Sequence, residues 1–349
     1  MSLLLDSLEV TVIIDNELDV MSPPPPTTMG TIYSHGSLGN IARESALVHD
    51  RGGEDVRELR MDRTIGWEKR SVLFDTGPEE DIWERNAKRL GVDLAGVEAI
   101  VLSHWHRDHS GGMLRAIRMI KEAQEAHGDN IKEVVVDVHP SRPKYRGFQL
   151  GEEIISLEAD PGFDEMAAAG ATVSKNAQAH TLAGGMFHVS GMIPRETEYE
   201  TGLRGGMRFE DEEEDEDDDD KREGRWKKDE EIADERVLTC RVRGLGLVVV
   251  TGCSHAGVVN TARHARREQR DKQGKEEDIF AIIGGYHLAT SDEATMLETV
   301  HDLAAMNPRF LVPGHCSGWR VKMAIEQAMP GRLLPCSVGA RLLFADQPS

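Results

Sequence analysis

The chain has 349 residues and a mass of 38.7 kDa, and its 41 Lys+Arg against 62 Asp+Glu give a formal charge of −21. A surplus of that size repels nucleic-acid backbones and anionic membrane surfaces at long range, so neither is expected as the main partner. No run approaches the roughly 18–20 apolar residues that span a bilayer, and Met1 to Val12 lacks the basic start and long apolar stretch of a secretory signal, so a soluble, cytoplasmic protein is expected.

Residues 8–15 (LEVTVIID) are β-branched and alternating, which predicts a first strand. Four consecutive prolines, Pro23 to Pro26, make residues 21–30 a proline-rich extended loop. Apolar runs over 71–74 and 97–102 predict strands that stop at Asp75-Thr76-Gly77-Pro78 and at Ser103-His104, with a helix over 80–90 between them. From Met113 the period changes, because Met113, Leu114, Ile117 and Ile120 share one face of a helix running to about Ala126. Residues 133–139 (EVVVDVH) return to strand.

Residues 210–220 are acidic without interruption, and 204–234 as a whole is charged and poor in apolar side chains, which predicts a disordered acidic insertion. Without the acidic run the charge falls to about −10, ordinary for a soluble enzyme. Strands are then expected over 236–242, 246–251, 279–283 and 310–312. Helices are expected from about Val259 and over 292–306, with turns at 252–257 and 313–318. Several strands end on turns carrying His, Asp or Gly, so function is expected at one edge of the sheets. The whole chain, 1–349, is read as one domain around the insertion. Its four cysteines contain no CxxC pair, which argues against a disulfide framework and fits a reducing compartment.

The strongest chemical signal is SHWHRDHSGG, residues 103–112, at the end of an apolar strand. His104 and His106 are two apart and can point to one side of an extended segment, with Asp108 and His109 at the turn into the next helix. Imidazole and carboxylate donors suit Zn²⁺, with Mn²⁺ or Fe as alternatives. Only 14 of the 349 residues are His, so four donors within six positions stand out against the bland alternative of a solvated turn.

This stretch resembles the His-x-His-x-Asp-His motif of the metallo-β-lactamase superfamily. The resemblance implies an αββα four-layer sandwich, two mixed β-sheets flanked by helices, with two metals at the strand-end edge. It implies that His104 and His106 hold one metal, that Asp108 and His109 hold the second, and that Asp75, in the upstream VLFDTG, orients ligands from behind. TGCSHAGVVNT (251–261), GGYHL (284–288), PGHCSG (313–318) and SGMIPRETEYE (190–200) look like the branch named for dihydropterin ribofuranosyl-aminobenzene phosphate synthase. By the same resemblance His255 and His315 are further ligands. The family's Gly-His-Thr triplet is absent, so the third ligand of the first metal is left open, and His255 is the residue that would fill it. Cys253 and His287 are open between ligand, substrate contact and packing. Arg195, among Glu196, Glu198 and Glu200, either binds a substrate oxyanion or ties a loop.

Two metals about 3.5–4 Å apart can share a water and make hydroxide near neutral pH. The expected function is a dinuclear metal-dependent hydrolase of a small-molecule lactone, lactam, ester or phosphoester, with Asp108 and His109 as catalytic residues. One alternative is the pterin and aminobenzene ribosyl phosphate transfer implied by the branch name, with Trp105, Tyr286 and Trp319 as stacking candidates. Another is a non-catalytic metal-binding protein on a decayed scaffold. No G-x-S-x-G elbow and no P-loop occurs, so serine chemistry and nucleotide-triphosphate hydrolysis have no support. Oligomeric state is left open.

Overall fold

Gly246–Thr251, Ile279–Gly285 and Phe310–Gly314 are apolar almost without alternation, the pattern of strands covered on both faces, and they pair in parallel. These and all other elements come from a computed structural model that describes residues 2–15, 31–35, 62–65, 68–128, 133–210, 224–270 and 274–345. The first sheet runs His180–Leu182, Phe187–Val189, Leu238–Val242, Gly246–Thr251, Ile279–Gly285, Phe310–Gly314, with Leu4–Leu5 also paired to Leu238–Val242. The second runs Thr172–Lys175, Val135–Val138, Val97–Val101, Glu68–Phe74, Asp62–Ile65, Ser7–Thr11, Ala340–Ala345, Thr31–His35. The expected first strand therefore ends earlier, at Thr11, and Val12 to Asp15 lead away from it.

The inner faces of the two sheets share one core, in which Leu8, Val10 and Phe344 of the second meet Val248, Phe280 and Phe310 of the first. Each such side chain fully withdrawn from water contributes roughly 1.5–3 kcal/mol. Glu80–Leu90 and Met113–Ala126 cover the outside of the second sheet, laying Trp83, Ile117 and Ile120 on Val97, Ile100 and Val136. Val258–Glu268, Glu293–Met306 and Trp319–Ala328 cover the first sheet through Val259, Val300 and Ile325. The layers are helix, sheet, sheet, helix, as expected. Local chemistry sets the helix ends: Gly91 and Asn307 terminate two of them in the left-handed region, and Asp292 accepts the Thr295 N–H at 2.8 Å.

A third sheet departs from the sequence expectation. Gly206–Glu210 and Arg225–Lys228 form an antiparallel hairpin that joins Tyr145–Leu150 and Glu153–Ser156 in a four-stranded sheet. The expected insertion over 204–234 is thus ordered on both flanks, while the acidic run 211–220 and the proline-rich loop 21–30 lie outside the described residues. Composition averaged over that window hides the pairing. Phe209 and Trp226 stack edge to face at 5.3 Å across the hairpin, and Arg146 is buried between Asp229, at 2.5 Å, and Asp234. Among the described residues no helix is long and apolar enough to cross a membrane.

Candidate metal centre

Five strands, Glu68–Phe74, Val97–Val101, Gly246–Thr251, Ile279–Gly285 and Phe310–Gly314, deliver the turns that carry Asp75, His104 to His109, Cys253 to His255, His287 and His315. These turns lie against one another because glycines leave room. A Cβ on Gly252 would fall 2.2 Å from the Ser103 hydroxyl, and one on Gly111 would fall 1.7 Å from the Pro78 carbonyl oxygen. Four of the seven non-glycine residues with positive φ among the described residues are here: Asp75, Ser254, His287 and His315. Backbone held in that region costs about 1–3 kcal/mol per residue and clusters where geometry is functional.

His104 Nε2 and His106 Nδ1 are 2.9 Å apart, and His255 Nε2 lies 3.2 Å from each. All three rings are buried. Burial, reinforced by neighbouring positive charge, holds His104 and His255 well below the usual histidine range and brings His106 down to about 3. The tautomer of His104 follows from its neighbours. Ser103 Oγ donates to Asp75 Oδ2 at 2.8 Å, so at 2.9 Å it accepts from His104 Nδ1–H and leaves Nε2 as a lone pair facing the other two rings. Neutral rings converging in this way fit a cation: a tetrahedral centre with bonds of about 2.0–2.1 Å has N···N edges of about 3.3–3.4 Å.

Beside this trio lies a second group, Asp108, His109, Cys253 and His315. Asp108 Oδ2 is 3.1 Å from His315 Nε2 and 3.5 Å from His109 Nε2, which is itself 3.1 Å from Cys253 Sγ. The ring centroids of His104 and His109 are 4.3 Å apart, so the two groups adjoin. Asp75 accepts from His109 Nδ1 at 2.6 Å and from the Ser103 N–H at 2.7 Å, one carboxylate thereby steering a ring in each group. Burial opposes the charge on His109, but Asp108 and Asp75 override it and push its pKa up to about 10. Burial likewise opposes ionisation of Asp108, yet His109 and the His315 hydrogen bond hold it below the carboxylate range.

Cys253 also belongs to a third set, with His287 and Cys316. Burial pushes the Cys253 thiol up, whereas hydrogen bonds from Cys253 and His287 hold the Cys316 thiol well below its usual value. His287 packs tilted against His255, 4.4 Å between ring centroids, and lines, with His255, Tyr199, Arg204 and Ser291, a polar cavity of about 290 Å³. Asp108, His109 and His315 face a second, mainly apolar cavity of about 390 Å³ walled by Ile13, Ile82 and Trp83.

Some expected residues are elsewhere. Arg195 donates to the carbonyls of Ile193, at 3.0 Å, and of Glu231, so its guanidinium ties the 190–200 loop instead of lining either cavity. Trp105 is fully buried and donates to the His139 carbonyl at 2.8 Å, and Tyr286 is buried with its hydroxyl on the Ile282 carbonyl. Trp105 serves the core, and Tyr286, though buried, is also among the residues that line the polar cavity. Two histidines given no role from the sequence also lie away from the centre: His180 pairs with Asp137 at 2.9 Å, and His188 packs near Glu268. Sequence reasoning passed over Asp234 and Glu235, whose carboxylates accept backbone N–H groups of Trp105, His255 and Ala256. Only their position just before the resumed strand could have singled them out.

Residues 65–153 match the family model described as the metallo-beta-lactamase superfamily. The chain is 25% identical over 260 residues, 73% of its own length and 78% of the relative's, to the 7,8-dihydropterin-6-methyl-4-(β-D-ribofuranosyl)-aminobenzene-5′-phosphate synthase of Methanocaldococcus jannaschii. It is 26% identical over 258 residues to an uncharacterised protein of that organism, covering 73% of this chain and 82% of the other. A solved metal-dependent hydrolase of the β-lactamase superfamily superposes with a TM-score of 0.61 at 20% identity, covering 96% of this chain and 98% of that one. The fold is that of the metallo-β-lactamase superfamily, and the resemblance read from the first motif and the later turns holds.

Proposed function

We propose that this chain, built on the metallo-β-lactamase fold, is a dinuclear metal-dependent hydrolase acting on a small-molecule lactone, lactam, ester or phosphoester. The observation that carries the reading is the approach of His104, His106 and His255 to 2.9–3.2 Å of one another directly beside Asp108, His109, Cys253 and His315. Two ions held there, zinc by the preference of this nitrogen, oxygen and sulfur set, with Mn²⁺ or Fe as alternatives, would supply Lewis acidity and hydroxide at neutral pH.

The protein's own groups divide the remaining work. Asp75 fixes the rings of His109 and, through Ser103, of His104, so that their Nε2 atoms face the centre. Asp108, with 47% of its side chain exposed, reaches toward solvent beside His315 and is placed to accept a hydrogen bond from an attacking water and so orient it. His287 and Arg204 wall the polar cavity as contacts for substrate.

A second reading, a synthase of the pterin and aminobenzene ribosyl phosphate type, is supported by the 25% identical relative of that name. The burial of Trp105 removes one of its three stacking candidates, whereas Tyr286 borders the polar cavity. Metal-replete protein incubated with lactone, lactam, ester and phosphoester panels, and separately with pterin and aminobenzene substrates, separates the readings by product mass. Chelator-sensitive addition of water to one panel class is the expected result. Turnover of the pterin pair alone would replace the hydrolase reading with the synthase, and fewer than one equivalent of bound metal would overturn both.

A further inference from the structure

Residues 234–236 follow the hairpin, on the way to Leu238–Val242, and all three turn inward. Asp234 Oδ2 accepts the N–H of Trp105, the residue between His104 and His106, at 2.7 Å. The two oxygens of Glu235 accept the N–H groups of His255 at 2.8 Å and Ala256 at 2.6 Å. Arg236 donates its own N–H to the Ser103 carbonyl at 2.8 Å, and its guanidinium reaches the Leu102 carbonyl at 2.7 Å and Asp137 at 2.5 Å. Asp234, Glu235 and Arg236 are each at most 2% exposed.

We propose that Asp234 and Glu235 are positioning residues for the three-histidine site: adjacent in the chain, they hold its two halves, the His104–His106 turn and the His255 turn, at a fixed separation. Ring nitrogens 3.2 Å apart across these turns come from segments about 150 positions apart in the sequence, so something must set their spacing. Carboxylates accepting backbone N–H groups make strong, directional bonds inside a protein, and two of them on neighbouring residues cannot move independently. Arg146 completes the device. It stands on Tyr145–Leu150 in the third sheet and bonds both Asp234 and Asp229, so the strand beside the hairpin supplies the positive charge that allows Asp234 to stay ionised in the interior. The added sheet thereby acts on the metal site through Arg146 and Asp234.

The inference rests on the metal-centre reading and is tested apart from turnover. Asp234→Asn and Glu235→Gln keep the shape of each side chain and weaken its hold on the N–H groups. Glu276→Gln, which breaks the distant surface ion pair to Arg270 at 2.7 Å, serves as control. Zinc affinity is read by competition with a chromophoric chelator, the coordination geometry by the visible spectrum of the cobalt-substituted protein, and folding by circular dichroism. Each positioning variant is expected to lose about 10–100-fold in affinity for one zinc equivalent and to shift the cobalt spectrum, with the control unchanged. Should Asp234→Asn fail to fold, Glu235→Gln carries the test alone, and Glu235→Asp restores part of the affinity. Wild-type affinity and cobalt spectrum in folded variants would overturn the proposal and leave the metal reading standing, whereas wild-type protein unable to bind zinc or cobalt would overturn both.

Discussion

The three-histidine group and the Asp108–His109–Cys253–His315 group share a turn and nearly touch, but they are held in opposite ways. The first is buried, uncharged and fixed from behind by backbone bonds to Asp234 and Glu235. The second contains an ionised carboxylate and a histidine pushed toward its charged form, and it opens to solvent through Asp108 and His315, 47% and 27% exposed. On the proposed reading the contrast is a division of labour: the preorganised, dry set of lone pairs would retain a cation, while the wetter, charged set beside it would adapt to the reacting molecule.

Removing a donor from either side breaks the comparison most severely. His106→Ala takes one nitrogen from a set of three that lies 2.9–3.2 Å apart, and Asp108→Ala takes the carboxylate bonded to His315. Both variants are expected to fold and to lose activity to background. They should differ in metal content, His106→Ala losing the tightly held equivalent and Asp108→Ala the weaker one. Turnover retained in both variants, measured on whichever substrate class the wild type accepts, would contradict the dinuclear scheme.

Asp75 gives a smaller and more discriminating effect, because it touches both groups without being a donor in either. Asp75→Asn leaves the Ser103 hydroxyl without its acceptor and His109 Nδ1–H without its charged partner. Both metal affinities are expected to fall by about 10–100-fold together. Loss confined to one equivalent, in a calorimetric titration, would show that the carboxylate serves a single ring.

How much of this was legible in the chain depends on the kind of interaction. The helices over Glu80–Leu90 and Met113–Ala126 match their expected limits because an amphipathic face is a local property, written every three or four residues. The His104–His109 cluster was legible because its donors crowd into one turn. Asp234 and Glu235 were not, because an acceptor for a backbone N–H 129 or 20 residues away looks, in sequence, like any other acidic residue near a charged run. Trp105 misled in the other direction: its place inside the histidine motif made it a stacking candidate, whereas burial against Phe163, 5.7 Å between ring centroids, makes it the anchor of the turn. Arg195 was left between two roles, and the loop carbonyls of Ile193 and Glu231 settle its contacts.

The mildest perturbation is pH, and in metal-stripped protein it acts on the three-histidine group and on His109 with opposite sign. His104, His106 and His255 have folded pKa values depressed below the ordinary 6.5, so as pH falls below 6.5 the unfolded chain takes up protons that the folded site refuses, and stability drops. For His109 the folded value is raised to about 10, so its contribution is complete below 6.5 and disappears as pH rises toward 10. Melting curves of the stripped protein should therefore trace a dome, each titrating histidine contributing a slope of at most about 1.4 kcal/mol per pH unit. His109→Gln is expected to flatten the alkaline limb most and the acid limb less, because burial, the largest cause of the depressed values in the trio, remains after the neighbouring charge is gone. An unchanged alkaline limb would mean that His109 is not held charged between Asp75 and Asp108, and the electrostatic half of the contrast would fail.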